Sequence, residues 1–150
     1  MRIERVAGRH LPAWATMRAA LWPDEDPAHL AEEAAEWLAD ADDARPVWIA
    51  LNDADAAIGF AEAALRHDYV NGCDGSPVAF LEAIYVVPEW RRGGIARALV
   101  ESVAGWARAR GIAEFASDAL LDNHASHAFH ARVGFAETER VVYFRRQIAA

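Results

Sequence analysis

Residues 80–100 read FLEAIYVVPEWRRGGIARALV, and the change of rhythm inside them leaves little choice of local fold. The first half is a run of apolar, β-branched and aromatic side chains that breaks at Pro88, while from Ile95 onward the apolar residues fall at helical spacing through Ala98, Leu99, Val103 and Trp106. The order is strand, loop, helix. A glycine-rich turn that opens a helix leaves several backbone N–H groups aimed at one spot, where the helix dipole also favours negative charge. A phosphate ligand is expected there. The spacing of Arg91, Gly94 and Ala96, R-x-x-G-x-A, fits neither a Walker A loop nor the G-x-G-x-x-G dinucleotide fingerprint, and no lysine follows the glycines.

That turn, placed after a strand ending in V-V-P, resembles the GNAT acetyltransferase superfamily, in which a Q/R-x-x-G-x-G/A turn grips the pyrophosphate of acetyl-CoA. Alone, R-x-x-G-x-A is more often an ordinary helix-capping turn; the strand ahead of it favours the resemblance. What the resemblance implies is a mixed α/β fold, with a central, mostly antiparallel sheet and helices on both of its faces.

A chain of 150 residues with 54% hydrophobic content suffices for one domain and one core, so residues 1–150 are expected to form a single domain. No apolar run approaches the roughly 20 residues of a membrane span, and the first residues lack an apolar signal core, so a soluble, cytoplasmic protein is expected. Cys73 is the one cysteine, which excludes an internal disulfide and a thiolate metal cluster. The net charge of −8 is unevenly spread: residues 1–82 hold 16 Asp and Glu against 6 Arg, and residues 83–150 hold 7 against 9. One half suits a cation and the other an anion. Nucleic acid, whose binding rests on phosphate neutralisation, is a poor partner for such a surface, whereas an acidic cleft concentrates a polyamine-like substrate. Most of the carboxylates are nonetheless simply solvated surface.

In chain order, residues 2–6 read as a strand and residues 11–21 as a helix, which Trp22 and Pro23 end. Asp26 is a good N-cap before Pro27, and Leu30, Ala34, Trp37 and Leu38 give the second helix its stripe. Residues 46–52 and 56–66 read as a hairpin, HDYVNGCDGSP as a loop, and the strand near Val78 as the central one. The helix at 95–110 ends at Gly111, residues 114–119 form a strand, 123–132 a short helix, and 136–147 one or two closing strands around Val141, Val142, Tyr143 and Phe144.

A closer resemblance appears when LWP at residues 21–23, AIGFAEAALRHDYVNGCDGSPVAFLEAIYVVP, FASD at 115–118 and GFAETERVVYFRR are taken together. They are similar to the aminoglycoside 6'-N-acetyltransferases, over nearly the whole chain. Implied are an aminoglycoside acceptor, acetyl-CoA as donor, direct attack by the 6'-amine in a ternary complex, no metal, and a homodimer built through C-terminal strands. For acyl transfer of this kind the amine must be deprotonated, the thioester carbonyl polarised and the leaving thiolate protonated or stabilised.

The residue roles follow by matching positions. The Val86 amide would polarise the carbonyl, and Ile84, Tyr85 and Val86 would bind the pantetheine arm as an added strand. Arg91, Arg92, Gly93, Gly94, Ile95, Ala96 and Arg97 would hold the diphosphate, with Asn123 a further CoA contact. Glu82 interrupts an apolar strand, so it must be paired or face a cleft; Asp118 ends the next strand. The resemblance makes both acids catalytic and acceptor-binding, while pairing of Glu82 with a buried arginine and loop capping by Asp118 remain structural alternatives. Trp22, Glu25, Tyr69 and Glu139 match acceptor contacts, although Glu25 stands where relatives can carry histidine. Where the superfamily often has a tyrosine for the leaving sulfur, this chain has His130, whose imidazole would have to serve instead. His124, His127 and His130, three apart, suggest a metal site only weakly, for want of a further ligand. The alternatives are an acetyltransferase for another small amine or a protein amine, and a non-catalytic acyl-CoA-binding sensor, which has no need of Glu82 and Asp118.

Overall fold

The computed structural model describes residues 1–40 and 43–149. One sheet runs β1 (Arg2–Arg5), β2 (Val47–Leu51), β3 (Ala57–Arg66), β4 (Val78–Val86), β5 (Phe115–Ser117) in spatial order. The first four strands pair antiparallel and β5 joins β4 in parallel. Between β1 and β2 come α1 (Leu11–Leu21) and α2 (Pro27–Ala39); α3 (Ile95–Ala109) separates β4 from β5, and α4 (His124–Arg132) follows β5. This is the mixed, mostly antiparallel sheet that the sequence led us to expect.

The sheet has a core on each face, which is why its middle strands read as unbroken apolar runs. Val47, Ile49 and Leu51 of β2 pack with Phe60 against Trp14, Met17 and Ala34 of the first two helices. Trp48 and Ala50, pointing the other way, pack with Ile58 and Leu81 against Ile95, Leu99 and Val103 of α3. Local signals set the boundaries. The Asp26 side chain accepts from the Ala28 N–H at 3.1 Å and caps α2. Gly111, at φ 72°, closes α3 with Gly111 N–H donating to Arg108 O and Ile112 N–H to Ala107 O, the paired bonds of a Schellman motif. Asn52 Oδ1 accepts from the N–H groups of Ala54 and Ala56, both at 3.0 Å, and so ties the β2–β3 turn.

Two features depart from the sequence reading. Glu62 of β3 faces Ala83 while Ala63 faces Leu81, so Glu82 is an extra residue on β4, a bulge. Leu81 consequently packs towards α3 and Ala83 towards α1 and α2, two residues apart yet on opposite faces. The closing strands expected at 136–147 are absent: residues 135–149 carry no helix or strand, and Tyr143 and Phe144 are 86% and 92% exposed. The apolar pattern is there, but a strand exists only beside a hydrogen-bonding neighbour. The segment instead passes over the loop at residues 67–77, where Asn71 Nδ2 donates to Glu139 at 3.2 Å and the Thr138 side chain fills the space above Gly72.

Candidate functional site

Strands β4 and β5 stay paired only from Ala79↔Phe115 to Leu81↔Ser117, and beyond that point they part. On the far side of the resulting fork the backbone of β4 is free to bind something else. Val87 N–H donates to Ile58 O at 2.9 Å, towards β3, so by strand alternation the Val86 N–H points the opposite way, into the fork. Its carbonyl on that side accepts from Arg91 Nε at 2.8 Å. An extended chain laid in the fork would therefore meet the backbone of Ile84 and Val86, while the Tyr85 side chain packs on Phe60, on the α1–α2 face.

The open end of the fork leads to the turn before α3. Gly94, the N-cap at φ 86°, and Arg92 at φ 65° bend the backbone so that the first amides of the helix are presented outward. No side chain caps them, and a Cβ on Gly94 would meet nothing within 4 Å. Such a turn can receive an anion on backbone N–H groups alone. Of the arginines around it, Arg91 is turned back onto β4 and the Tyr85 ring, and Arg97 donates to the Arg132 carbonyl at the end of α4. Arg92 is exposed. Ile95 is buried in the α3 core, so it offers its N–H and not its side chain. Ala96 packs partly against the same core.

At the vertex of the fork, Glu82 and Asp118 are each the next residue after the last pair, Leu81↔Ser117, on adjacent parallel strands. Asp118 is exposed. Glu82 is held in a fork-to-fork pair, with Arg66 Nε 3.0 Å from one carboxylate oxygen and Nη2 2.8 Å from the other. The Arg66 guanidinium in turn lies 3.5 Å over the Phe80 ring. Glu82 thus has an arginine partner, half-exposed where a buried one was the alternative, and it faces a cleft as well: Glu82 and Trp22 line a cleft of about 360 Å³ together with Arg18, Trp37, Arg45, Glu62 and Ala64. Beyond Trp37 a second hollow, about 480 Å³, is lined by Glu33, Glu36, Asp40 and Arg45.

Glu62 and Arg18 were not visible as site residues in the sequence. Both are buried; Arg18 pairs with Glu62 and reaches Glu33 at 2.7 Å, and Trp14 Nε1 donates to Glu62 at 3.0 Å. Burial pushes the Glu62 carboxyl above the ordinary carboxylate range, opposed by Arg18 and the indole. The pair forms the cleft floor beneath Trp22, whose ring lies 4.9 Å from the Arg18 guanidinium. A signal existed, since Glu62 lies among alanines in a strand that is otherwise apolar, but its partner is 44 residues away.

The remaining expected residues are not among those that line this cleft. Tyr69 is 72% exposed on the loop at 67–77, and Glu139 reaches the same loop through Asn71. That loop is fastened by Glu114, whose carboxylate accepts from the N–H groups of Asp74 at 3.0 Å and Gly75 at 2.6 Å. These two amides hold the Glu114 carboxyl below its usual range. Burial and the Glu114 carboxylate raise the thiol of Cys73, which fits a loop residue and not a nucleophile. Glu25 is exposed in the turn after Trp22. Asn123 caps α4, its Oδ1 accepting from Ser126 N–H at 3.1 Å. His127 Nε2 lies 2.9 Å from Leu120 O, whereas His130 turns to β5, its Nε2 2.8 Å from Ser117 Oγ and its Nδ1 2.7 Å from Ser126 O.

Comparison with known proteins bears on the whole chain. The pattern of the acetyltransferase (GNAT) family matches residues 12–135. An aminoglycoside N(6')-acetyltransferase type 1 from Acinetobacter genomosp. 13 is 49% identical over 148 residues, covering 99% of both chains. The crystal structure of the aminoglycoside antibiotic 6'-N-acetyltransferase AAC(6')-Ih from Acinetobacter baumannii superposes with a TM-score of 0.90 at 46% identity, covering 99% of each chain. AAC(6')-Iy in complex with the bisubstrate analogue CoA-S-monomethyl-acetylneamine matches at 41% identity and TM-score 0.90, covering 98% of each.

Proposed function

The chain belongs to the GNAT acetyltransferase family, and from that premise we infer that it is an aminoglycoside 6'-N-acetyltransferase, a resistance enzyme that moves acetyl from acetyl-CoA to the 6'-amine of the antibiotic. The observation that carries this reading is the fork between β4 and β5, which has an anion cradle at one end and two carboxylates beside a tryptophan-lined cleft at the other.

In this reading the diphosphate of the donor sits at the turn made by Arg91, Arg92, Gly93 and Gly94, against the N–H groups of Ile95, Ala96 and Arg97, with Asn123 beside it. The pantetheine arm runs back along Ile84, Tyr85 and Val86 like an added strand, which brings the thioester towards the vertex. The Val86 N–H polarises the acetyl carbonyl; a donor of this kind contributes about 3–4 kcal/mol to the transition state. Glu82 and Asp118 hold and neutralise the ammonium and accept its proton, since a carboxylate is a weak base whose first task is orientation. Trp22 supplies an aromatic wall for the sugar, with Tyr69, Glu25 and Glu139 at the rim. His130 serves the departing sulfur. The acceptor's ammonium takes over the seat on Glu82 that Arg66 fills in its absence.

We take residues 1–150 to act as one domain, in the cytoplasm, where acetyl-CoA is made; no helix among the described residues is long and apolar enough to cross a membrane. The exposed apolar run at Val141, Val142, Tyr143 and Phe144 supports a homodimer in which the C-terminal segments of two copies pair as strands.

Thiol release from acetyl-CoA, followed against kanamycin, its 6'-hydroxyl analogues and spermidine, tests the reading. Turnover with 6'-amines alone is expected. Equal turnover of spermidine would move the function to a general small-amine acetyltransferase, and no turnover with any amine would leave an acyl-CoA sensor.

A further inference from the structure

His130 stands where a leaving-sulfur acid is wanted, yet neither of its ring nitrogens is open to the fork. Nδ1 is 2.7 Å from the Ser126 carbonyl, which can only accept, so Nδ1 carries a proton. Nε2 is covered by the Ser117 hydroxyl at 2.8 Å. The rings of Phe129 and Phe135, at 5.5 and 5.4 Å between centroids, flank the imidazole and hold it in this pose. Ser117 belongs to the last β4–β5 pair, at the vertex of the fork, with Asp118 as its neighbour, and its Oγ also lies 3.3 Å from Leu81 O. The hydroxyl therefore has a partner in either protonation state of the ring. With neutral His130 it donates to Nε2; with the imidazolium it accepts from Nε2–H and its own proton turns to β4 and the space beside it.

We propose that Ser117 is a catalytic residue that hands the proton to the departing CoA sulfur, with His130 resupplying it from behind. This rests on the acetyl-transfer reading above. The amine nitrogen bonds to the acetyl carbon, the carbon–sulfur bond breaks, and its electron pair stays on sulfur. Ser117 Oγ gives its proton to that sulfur, and the Nε2 proton of the imidazolium replaces it on Oγ. The imidazole is left neutral, its Nδ1–H still donating to the Ser126 carbonyl; the first proton of the ammonium has gone to Glu82 and Asp118 and from there to water, and the second, shed as the amide forms, returns through the Ser117 hydroxyl to Nε2. Thiol and amide leave, and no charge is stranded.

The test is steady-state kinetics on the full chain with acetyl-CoA and kanamycin, for Ser117→Ala, Ser117→Thr, His130→Ala and the Ser117→Ala/His130→Ala double variant, with acetyl-CoA affinity measured by calorimetry as the check on folding. Ser117→Ala is expected to lower kcat about 100-fold, a common worth for a positioned acid, with the KM for acetyl-CoA within about twofold. Ser117→Thr, which keeps the hydroxyl, should stay within about threefold. Two groups in one relay fail together, so the double variant should be no slower than the worse single one. Losses that multiply, or Ser117→Ala turning over like the unaltered protein, would overturn the relay and leave the acetyl-transfer reading standing. If the unaltered protein acetylates no amine at all, that reading falls and takes the relay with it.

Discussion

Glu82 has one cation built in, Arg66, and in the proposed reading meets a second, the ammonium of the acceptor. Arg66 grips both carboxylate oxygens, but its side chain is 41% exposed, and a partly exposed pair of this kind is worth no more than about 1 kcal/mol. That is weak enough for an aminoglycoside with several ammonium groups to displace it. Arg66→Gln is accordingly expected to lower the acceptor KM by roughly fivefold, the kinetic equivalent of that energy; an unchanged or raised KM would mean that Arg66 positions Glu82 and does not compete for it. Removing the carboxylates has the opposite result. Glu82→Gln and Asp118→Asn should each cut kcat/KM for kanamycin about 100-fold and leave acetyl-CoA affinity nearly unchanged. Kinetics like those of the unaltered enzyme in both variants would strip the two acids of their roles.

At the scale of elements, one carboxylate just ahead of β5 fastens the loop that carries Tyr69, an acceptor contact in the proposed reading. Glu114 binds the amides of Asp74 and Gly75, and through them fixes the loop at 67–77 on which Tyr69 and Asn71 sit. Its carboxyl is held below the ordinary value in the folded protein, so the clamp is in place above the unfolded-state pKa and is lost as pH falls through the lowered folded one. Glu114→Gln should raise the acceptor KM and speed hydrogen exchange at the Asp74 and Gly75 amides, and acidification should do the same to the native chain; exchange as slow in the variant as in the native chain would show that the loop holds itself. Helices and hairpin were legible because their signals are local: Asp26 before Pro27, Gly111 after the stripe of α3, Asn52 in its turn. The anion turn was legible for the same reason. The β4 bulge was not: Glu82 stands out as a charge in an apolar run, but that run does not show that the residue is unmatched in the ladder. Nor were the Arg18–Glu62 floor and the Ser117–His130 contact, which depend on residues that only the fold brings together.

Over the whole molecule, a single sheet separates the glycine turn from the tryptophan-lined cleft. The turn lies at the head of α3, and the cleft lies on the opposite face, under α1 and α2; the proposed reading gives the first to the donor and the second to the acceptor. The acidic first half of the sequence builds the cleft side, and the more basic second half supplies the anion turn. The C-terminal segment ties Glu139 to Asn71 of the loop at 67–77 while leaving Val142, Tyr143 and Phe144 in solvent. If it pairs with its counterpart in a second copy, Val142→Asp together with Phe144→Asp should convert a dimer into a monomer in sedimentation at micromolar concentration; a native protein already monomeric there would remove the pairing. The unmatched residue in β4 has a last consequence, for how this lineage can vary. Excising Glu82 would restore a regular ladder with Leu81 still opposite Ala63 and Ala83 still opposite Glu62, so both cores would keep their side chains and only the carboxylate would go. That extra position is the one place in the strand where a deletion spares the core, so relatives that have given up the carboxylate are expected to have lost the residue there and nowhere else along the strand.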